Sequence, residues 1–246
     1  MAAIRQYSKQ ERAEELARFF STDVQDCLVI LDRGFGELHH AVSEDFRKAH
    51  PSGEAELLDW YRSTDAYIWE LTAYHLDPAF NYEGFCRGVI DGLIQRNAAR
   101  VLVLGDGIGD LSVWICQNRM YPTYHDLAGS RTARFAKCVA DMRGAAVYQK
   151  LTPGWEPRLE KDYDAVLACD FLEHCPNVEE WVLAISEALV PGGILFSQNA
   201  FACGSGENGS IPMHLSCNDR FEKDWDPLLA SLGYTQESSN WYRRPE

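Results

Sequence analysis

No stretch of this 246-residue chain approaches the ~20 consecutive apolar residues that a membrane-spanning helix needs. The opening segment, MAAIRQYSKQERAEE, lacks the apolar core of a secretion signal, so a cytoplasmic protein is expected. Runs of Lys or Arg are also missing: 23 basic residues stand against 37 acidic ones, a formal charge of −14. Nucleic-acid binding draws on basic surface that displaces counterions from phosphates. Neither DNA nor RNA is therefore an expected partner, and the acidity serves solubility. The eight cysteines form no C-x-x-C pair and are scattered through apolar segments. That pattern argues against a disulfide framework or a zinc site and for reduced thiols, mostly in the core.

What is present divides into two textures. Residues 1–98 read as helices, with no convincing strand alternation. Ser8-x-x-Glu11 and Thr22-x-x-Gln25 have capping-box spacing. In YIWELTAYH, Tyr67, Leu71 and Tyr74 share one helical face, and Asp77-Pro78 stops the helix. Residues 99–246 alternate. Strands are expected near 101–104, 121–126, 145–149, 164–169 and 193–198, and helices near 110–118, 130–142 and 178–190. Asn177 is the expected cap of the last of these helices, and Pro191-Gly192-Gly193 its end. A helix near 219–232 and a terminal hairpin, YTQESS with NWYRR, close the chain. Such alternation implies an α/β fold with a parallel sheet and right-handed crossovers.

The segment VLVLGDGIGDLS runs a strand into Gly105-x-Gly107-x-Gly109 and then a helix, so that a ligand can approach bare backbone and meet helix amides. Asp126 ends the second strand 21 residues after Gly105, where a carboxylate can accept hydrogen bonds from both ribose hydroxyls. NAD and S-adenosylmethionine both suit this arrangement. The aspartates separate them: Asp110 stands where a dinucleotide loop wants glycine, and Asp106 would face a pyrophosphate. Like charges a few ångströms apart cost on the order of 1 kcal/mol even in water. An ammonium and a sulfonium tolerate those carboxylates. The alternative without chemistry is a tight strand-to-helix turn that binds nothing.

At these residues the chain resembles the class I S-adenosylmethionine-dependent methyltransferases. The resemblance spans 101–244 and rests on the glycine loop, on Asp126, on YDAVLACDFLEHCPN followed by a helix and LVPGGILF, and on the terminal hairpin. It implies a Rossmann-like doubly wound sheet of seven strands with an antiparallel last strand, preceded by a helical lid or substrate-binding region. It also implies methyl transfer to a small-molecule acceptor, with Gly105, Asp106, Gly107, Gly109, Asp126, Leu127 and Asp170 at the cofactor. Two positions depart from the family: Val103 replaces its usual acidic residue, a place Asp106 can take near the methionine ammonium, and VYQKLTPGW lacks the acidic residue near the adenine. The competing readings are a nicotinamide-dependent oxidoreductase and a non-catalytic cofactor-binding subunit.

Two histidines, His174 and His214, are candidate general bases for the acceptor's proton. Asp170-x-x-Glu173-His174 with distal His214 is also similar to the E-x-x-E-H pattern by which small-RNA terminal methyltransferases and ubiquinone-pathway O-methyltransferases hold a divalent metal. In metal-free members of the family the same residues face the cofactor and tie down a turn. Tyr61, Tyr67, Tyr74 and Tyr82 either line an acceptor pocket or pack in the core or a homodimer interface of the N-terminal helices. His39, His40, His50 and His75 read as polar tips of surface helices, and the small-residue loop 199–212 as either a mobile cover over the acceptor or a plain connector.

Overall fold

The computed structural model describes residues 4–203, 205, 209 and 211–246. Six helices come first: α1 (Lys9–Phe20), α2 (Val24–Leu31), α3 (Gly34–Ala49), α4 (Glu54–Ser63), α5 (Ala66–Leu76) and α6 (Tyr82–Gln95). Then follow β1 (Arg100–Leu104), α7 (Asp110–Gln117), β2 (Tyr121–Leu127), α8 (Arg131–Met142), β3 (Tyr148–Thr152), β4 (Tyr163–Cys169), α9 (Val178–Ala188) and β5 (Leu189–Gln198). The chain ends with α10 (Phe221–Ser231) and the hairpin β6 (Thr235–Ser238) and β7 (Trp241–Arg243). None of these helices is long and apolar enough to cross a membrane, among the described residues.

The strands form one sheet in the order β3-β2-β1-β4-β5-β7-β6. β1 through β5 are parallel, and β7 enters antiparallel beside β5, pairing Leu195 with Tyr242. The fold is therefore the expected doubly wound, Rossmann-like α/β sheet with its antiparallel strand. Alternation along β1 explains why it sits at the centre: Val101 and Val103 face the layer of α6 and α7, while Leu102 and Leu104 face α9 and α10, all nearly inaccessible. The chain winds outward from β1 through β2 to β3, then returns to β4 on the other side. The carboxyl ends of β1 and β4 thus flank the crevice where ligands bind in such sheets. Helices α1, α2, α3 and α5 close over this region, packing Leu16, Cys27, Leu31, Leu38 and Ile68 against Ile108, Val113 and Phe135.

Local differences from the sequence reading have local causes. Ser8 and Glu11 make the full capping box, but α2 is capped by Asp23, whose carboxylate takes the Gln25 amide at 2.7 Å; Thr22 turns to Asp26 instead. Asn177 stands at the start of α9, yet its amide group donates to Glu180 rather than capping the helix backbone. Pro191-Gly192-Gly193 does not end α9. It forms an irregularity inside β5, where the Gly193 carbonyl accepts the Arg244 amide at 2.9 Å and Gly192 the Arg243 guanidinium at 2.7 Å. The third strand begins at Tyr148, because its pairing with β2 starts at Thr123–Tyr148. All eight cysteines are free thiols.

Candidate active site

The three glycines are needed because their missing side chains are replaced by neighbours. All have left-handed backbones, with φ of +62°, +52° and +84° for Gly105, Gly107 and Gly109. A Cβ on Gly107 would lie 2.6 Å from the Leu71 Cδ1 of α5, and one on Gly109 would lie 2.9 Å from the Ala136 Cβ of α8. A Cβ on Gly105 would run into the Phe171 ring just beyond β4. Leu71 and Phe171 thereby cover the open side of the turn.

The two aspartates of the loop have opposite fates. The Asp106 carboxylate turns toward the amino end of α7 and accepts the Ser112 amide at 2.7 Å. Burial pushes its carboxyl up to about 7, against the pull of the hydrogen bonds from Ser112. Asp110 corrects the sequence reading. It is wholly buried, paired with Arg12 of α1, with Arg143 at 2.5 Å and with His75 Nδ1 of α5 at 2.5 Å. Burial opposes its charge, but the Arg12 and Arg143 guanidiniums hold its carboxyl well below the usual range. Its charge is cancelled inside the fold, so it says nothing about which cofactor binds.

Asp126 is half-buried at the end of β2. It accepts the Tyr124 hydroxyl at 2.6 Å and the Leu127 amide at 2.6 Å, while Tyr124 also reaches the Gly107 carbonyl at 2.9 Å. This ties the carboxylate to the glycine turn, and burial raises its pKa. Asp170, at the end of β4, has a left-handed backbone, φ +46°, held by its amide on the Gln198 carbonyl at 2.8 Å. For a residue other than glycine that conformation is uncommon and carries some strain. Desolvation and the nearby Glu70 raise its carboxyl to about 6.

Glu173, His174 and His214 come together, with one donor atom from each lying within 4.8 Å of the others. Asp170 does not belong to this group, so the four-residue metal set read from the sequence reduces to three among the described residues. Glu173 is buried; its Oε1 accepts the Ala200 amide at 2.8 Å, and its Oε2 has no partner. Burial, then the neighbouring Asp170, push its carboxyl up to about 8. The Nδ1 atoms of the two imidazoles face carbonyls, Met213 at 3.3 Å and Cys203 at 3.1 Å. The Cys203 carbonyl only accepts and so assigns the His214 proton to Nδ1; His174 Nδ1 also meets the Tyr61 hydroxyl at 2.9 Å, so its tautomer follows the direction of that hydroxyl. Burial lowers both pKa values, that of His174 to about 3 with help from His214. The 199–212 loop is described only in part; residues 204, 206–208 and 210 lie outside the described set.

The helical contributions carry no local sequence signal. His75 is no surface tip: it stacks on Tyr82 at 3.5 Å and bonds Asp110. His39 pairs with the buried Glu70 at 2.7 Å, whereas His40 stays on the surface beside Glu44. Arg12 and Arg143 carried no motif, and only the burial of their partner reveals them. Tyr61 was one of four tyrosines with equal standing; its hydroxyl lies 2.9 Å from His174 Nδ1.

No protein-family model matches this chain, and no curated protein matches it in sequence. Among solved structures it is similar to the YcgJ protein of Bacillus subtilis, at 18% identity and a TM-score of 0.40, over 45% of this chain and 47% of that one. An S-adenosylmethionine-dependent methyltransferase from Clostridium acetobutylicum gives 17% and 0.45, over 53% and 56%. The [4+2]-cyclase SpnF gives 22% and 0.38, over 44% and 42%. The chain spans about half the length of each of these proteins. All three scores lie below 0.5, and no assignment of this chain rests on them.

Proposed function

We propose that this chain transfers a methyl group from S-adenosylmethionine to a small-molecule acceptor, with Glu173, His174 and His214 holding a divalent cation beside the acceptor. The observation that carries the cofactor is the position of Asp106. Its carboxylate takes the Ser112 amide at the amino end of α7, the place a pyrophosphate would use. A dinucleotide would bring negative charge to an amide already engaged by a carboxylate, and toward a carboxyl already raised to about 7 by burial. A methionine ammonium would instead lower that carboxyl's pKa and be attracted to it. Asp126, tied to the turn through Tyr124, is placed for ribose hydroxyls. The antiparallel β7 and the motif resemblance of 101–244 support the same reading.

The trio suits a divalent cation by the chemistry of its donors: one buried carboxylate oxygen without a partner and two imidazoles whose second nitrogens are committed to carbonyls. When bound, the cation would polarise an acceptor oxygen and make its hydroxyl more acidic. The depressed pKa values of His174 and His214 make them neutral donors and weak bases, which supports ligation over the general-base role. Leu71 and Phe171 cover the glycine turn, and the Tyr61 ring lies beside His174, with Tyr67 and Trp155 packed against it. In-line transfer needs the nucleophile ~3 Å from the methyl carbon, opposite the leaving sulfur.

Thermal unfolding with S-adenosylhomocysteine and with NAD, each in excess, tests the cofactor. A ligand at one hundred times its Kd adds about 2.7 kcal/mol to stability. The adenosyl compound should raise the midpoint and NAD should not; the reverse result ends the proposal.

A further inference from the structure

Of the groups around His174, one arrives from outside the sheet. Tyr61 lies on α4, in the N-terminal helical region, and its hydroxyl sits 2.9 Å from His174 Nδ1. The ring has no freedom to leave. It stacks on Tyr67 with centroids 5.9 Å apart and planes within 11°, and it meets Trp60 and Trp155 edge-on at 5.0 and 5.9 Å.

We propose that Tyr61 is a positioning residue for the cation site: its hydroxyl oxygen accepts the Nδ1 proton of His174 and fixes that imidazole with Nε2 as the free donor toward Glu173 and His214. This rests on the reading of the trio as a cation site. The Met213 carbonyl, a pure acceptor, favours a proton on Nδ1, but at 3.3 Å it makes a long bond. The Tyr61 oxygen at 2.9 Å is the closer acceptor. His214 needs no such help, because the Cys203 carbonyl meets its Nδ1 at 3.1 Å. Were the Tyr61 hydroxyl to donate instead, the His174 proton would move to Nε2 and the ring would be lost to the trio. The two arrangements therefore make opposite statements about cation binding.

The packing explains why the helical region must be docked for this to work. Val42 of α3, Leu57 and Trp60 of α4, and Met213 form one buried cluster. The residue next to Tyr61 and the residue next to His214 are thus packed into a single unit. The helices contribute to the affinity of the site as well as covering it.

Cobalt(II) titrated into the full-length chain, followed by calorimetry and by its visible d–d absorption, tests this. The wild-type chain should bind one equivalent, and Glu173→Gln should abolish binding. Tyr61→Phe keeps the ring stack and removes only the acceptor oxygen; it should weaken binding about tenfold or more, the usual effect of losing an outer-shell partner, and shift the d–d band. Tyr234→Phe, the same change at another buried ring, whose hydroxyl bonds Ser186 at 2.9 Å, should leave both unchanged and serves as the folding control. Wild-type affinity and spectrum in Tyr61→Phe would overturn the role of Tyr61 and leave the cation site standing. Equal loss in Tyr61→Phe and Tyr234→Phe would show a general stability effect and also overturn it. A wild-type chain that binds no cobalt would remove the cation site itself.

Discussion

Asp110 offers the sharpest test of how the helical region is joined to the glycine turn. It is 0% exposed and opens α7 directly after Gly109. Arg12 and Arg143 neutralise it, and both also reach Glu15, at 3.0 Å from Arg12 and 2.7 and 2.8 Å from Arg143. With His75 neutral, two guanidiniums balance two carboxylates. Asp110→Asn keeps the shape and leaves one positive charge buried without a counter-charge. Removing one partner of a buried pair costs roughly 3–5 kcal/mol, a large share of the ~5–15 kcal/mol that stabilises a typical domain. In equilibrium urea unfolding the midpoint should fall by about 1 M or more, at unchanged slope. Asp141→Asn, which breaks the exposed Lys137–Asp141 pair, should barely move it. The pair Asp110→Leu with Arg143→Met should cost less than the sum of its single changes, since the remaining Arg12 and Glu15 balance. The folded-state pKa of Asp110 lies below the unfolded one, so its contribution is present above the ordinary aspartate range near pH 4 and is lost as pH falls below it. Asp110→Asn should therefore flatten the acid limb of the stability curve. A midpoint shift no larger than that of Asp141→Asn would refute the buried-charge argument.

Asp106 should show the opposite pH dependence. Its carboxyl is raised from 3.8 to about 7, so its contribution is present below about pH 4 and is lost as pH rises through 7. The thermal midpoint of the ligand-free protein should fall over that window, and Asp106→Asn should flatten the fall; an unchanged profile would place the ionisation elsewhere. Gly109→Ala and Gly129→Ala share a φ of +84°, but only Gly109 faces Ala136, while Gly129 has open space. Urea unfolding should show about 1 kcal/mol lost for Gly129→Ala and distinctly more for Gly109→Ala; equal losses would show that α8 yields freely. Leu71→Ala should speed association of S-adenosylhomocysteine in stopped-flow fluorescence, because Leu71 lies over the Gly107 backbone. An unchanged rate would mean that α5 does not stand in the way.

The sheet was legible because its signals are local. VLVL, DAVLAC and the segment GILFSQ are apolar runs bounded by turn residues, and the glycine turn sits at a strand's end by simple adjacency. The Pro191-Gly192-Gly193 segment was misread for the same reason: alone it looks like a helix stop, and only the arrival of β7 makes it part of a strand. Of the site, Glu173, His174 and His214 were legible as residue types, because Glu-His adjacency after a strand is a short-range pattern. That Asp170 stands apart from them was not, since it depends on a left-handed backbone at a single residue.

The hardest features to read were those joining distant parts of the chain. Arg12 and Asp110 lie 98 positions apart, and Tyr61 and His174 lie 113 apart. No periodicity or spacing links such pairs; only packing does. The consequence for function is specific. From sequence, Asp106 and Asp110 carried equal weight against a pyrophosphate. In the fold, Asp110 is neutralised by two arginines, so the proposed preference for a cationic cofactor rests on Asp106 alone. In the proposed function, a carboxylate on the Ser112 amide both occupies a donor that an anion would use and offers a partner to an ammonium, so this one side chain carries the distinction between the two cofactors.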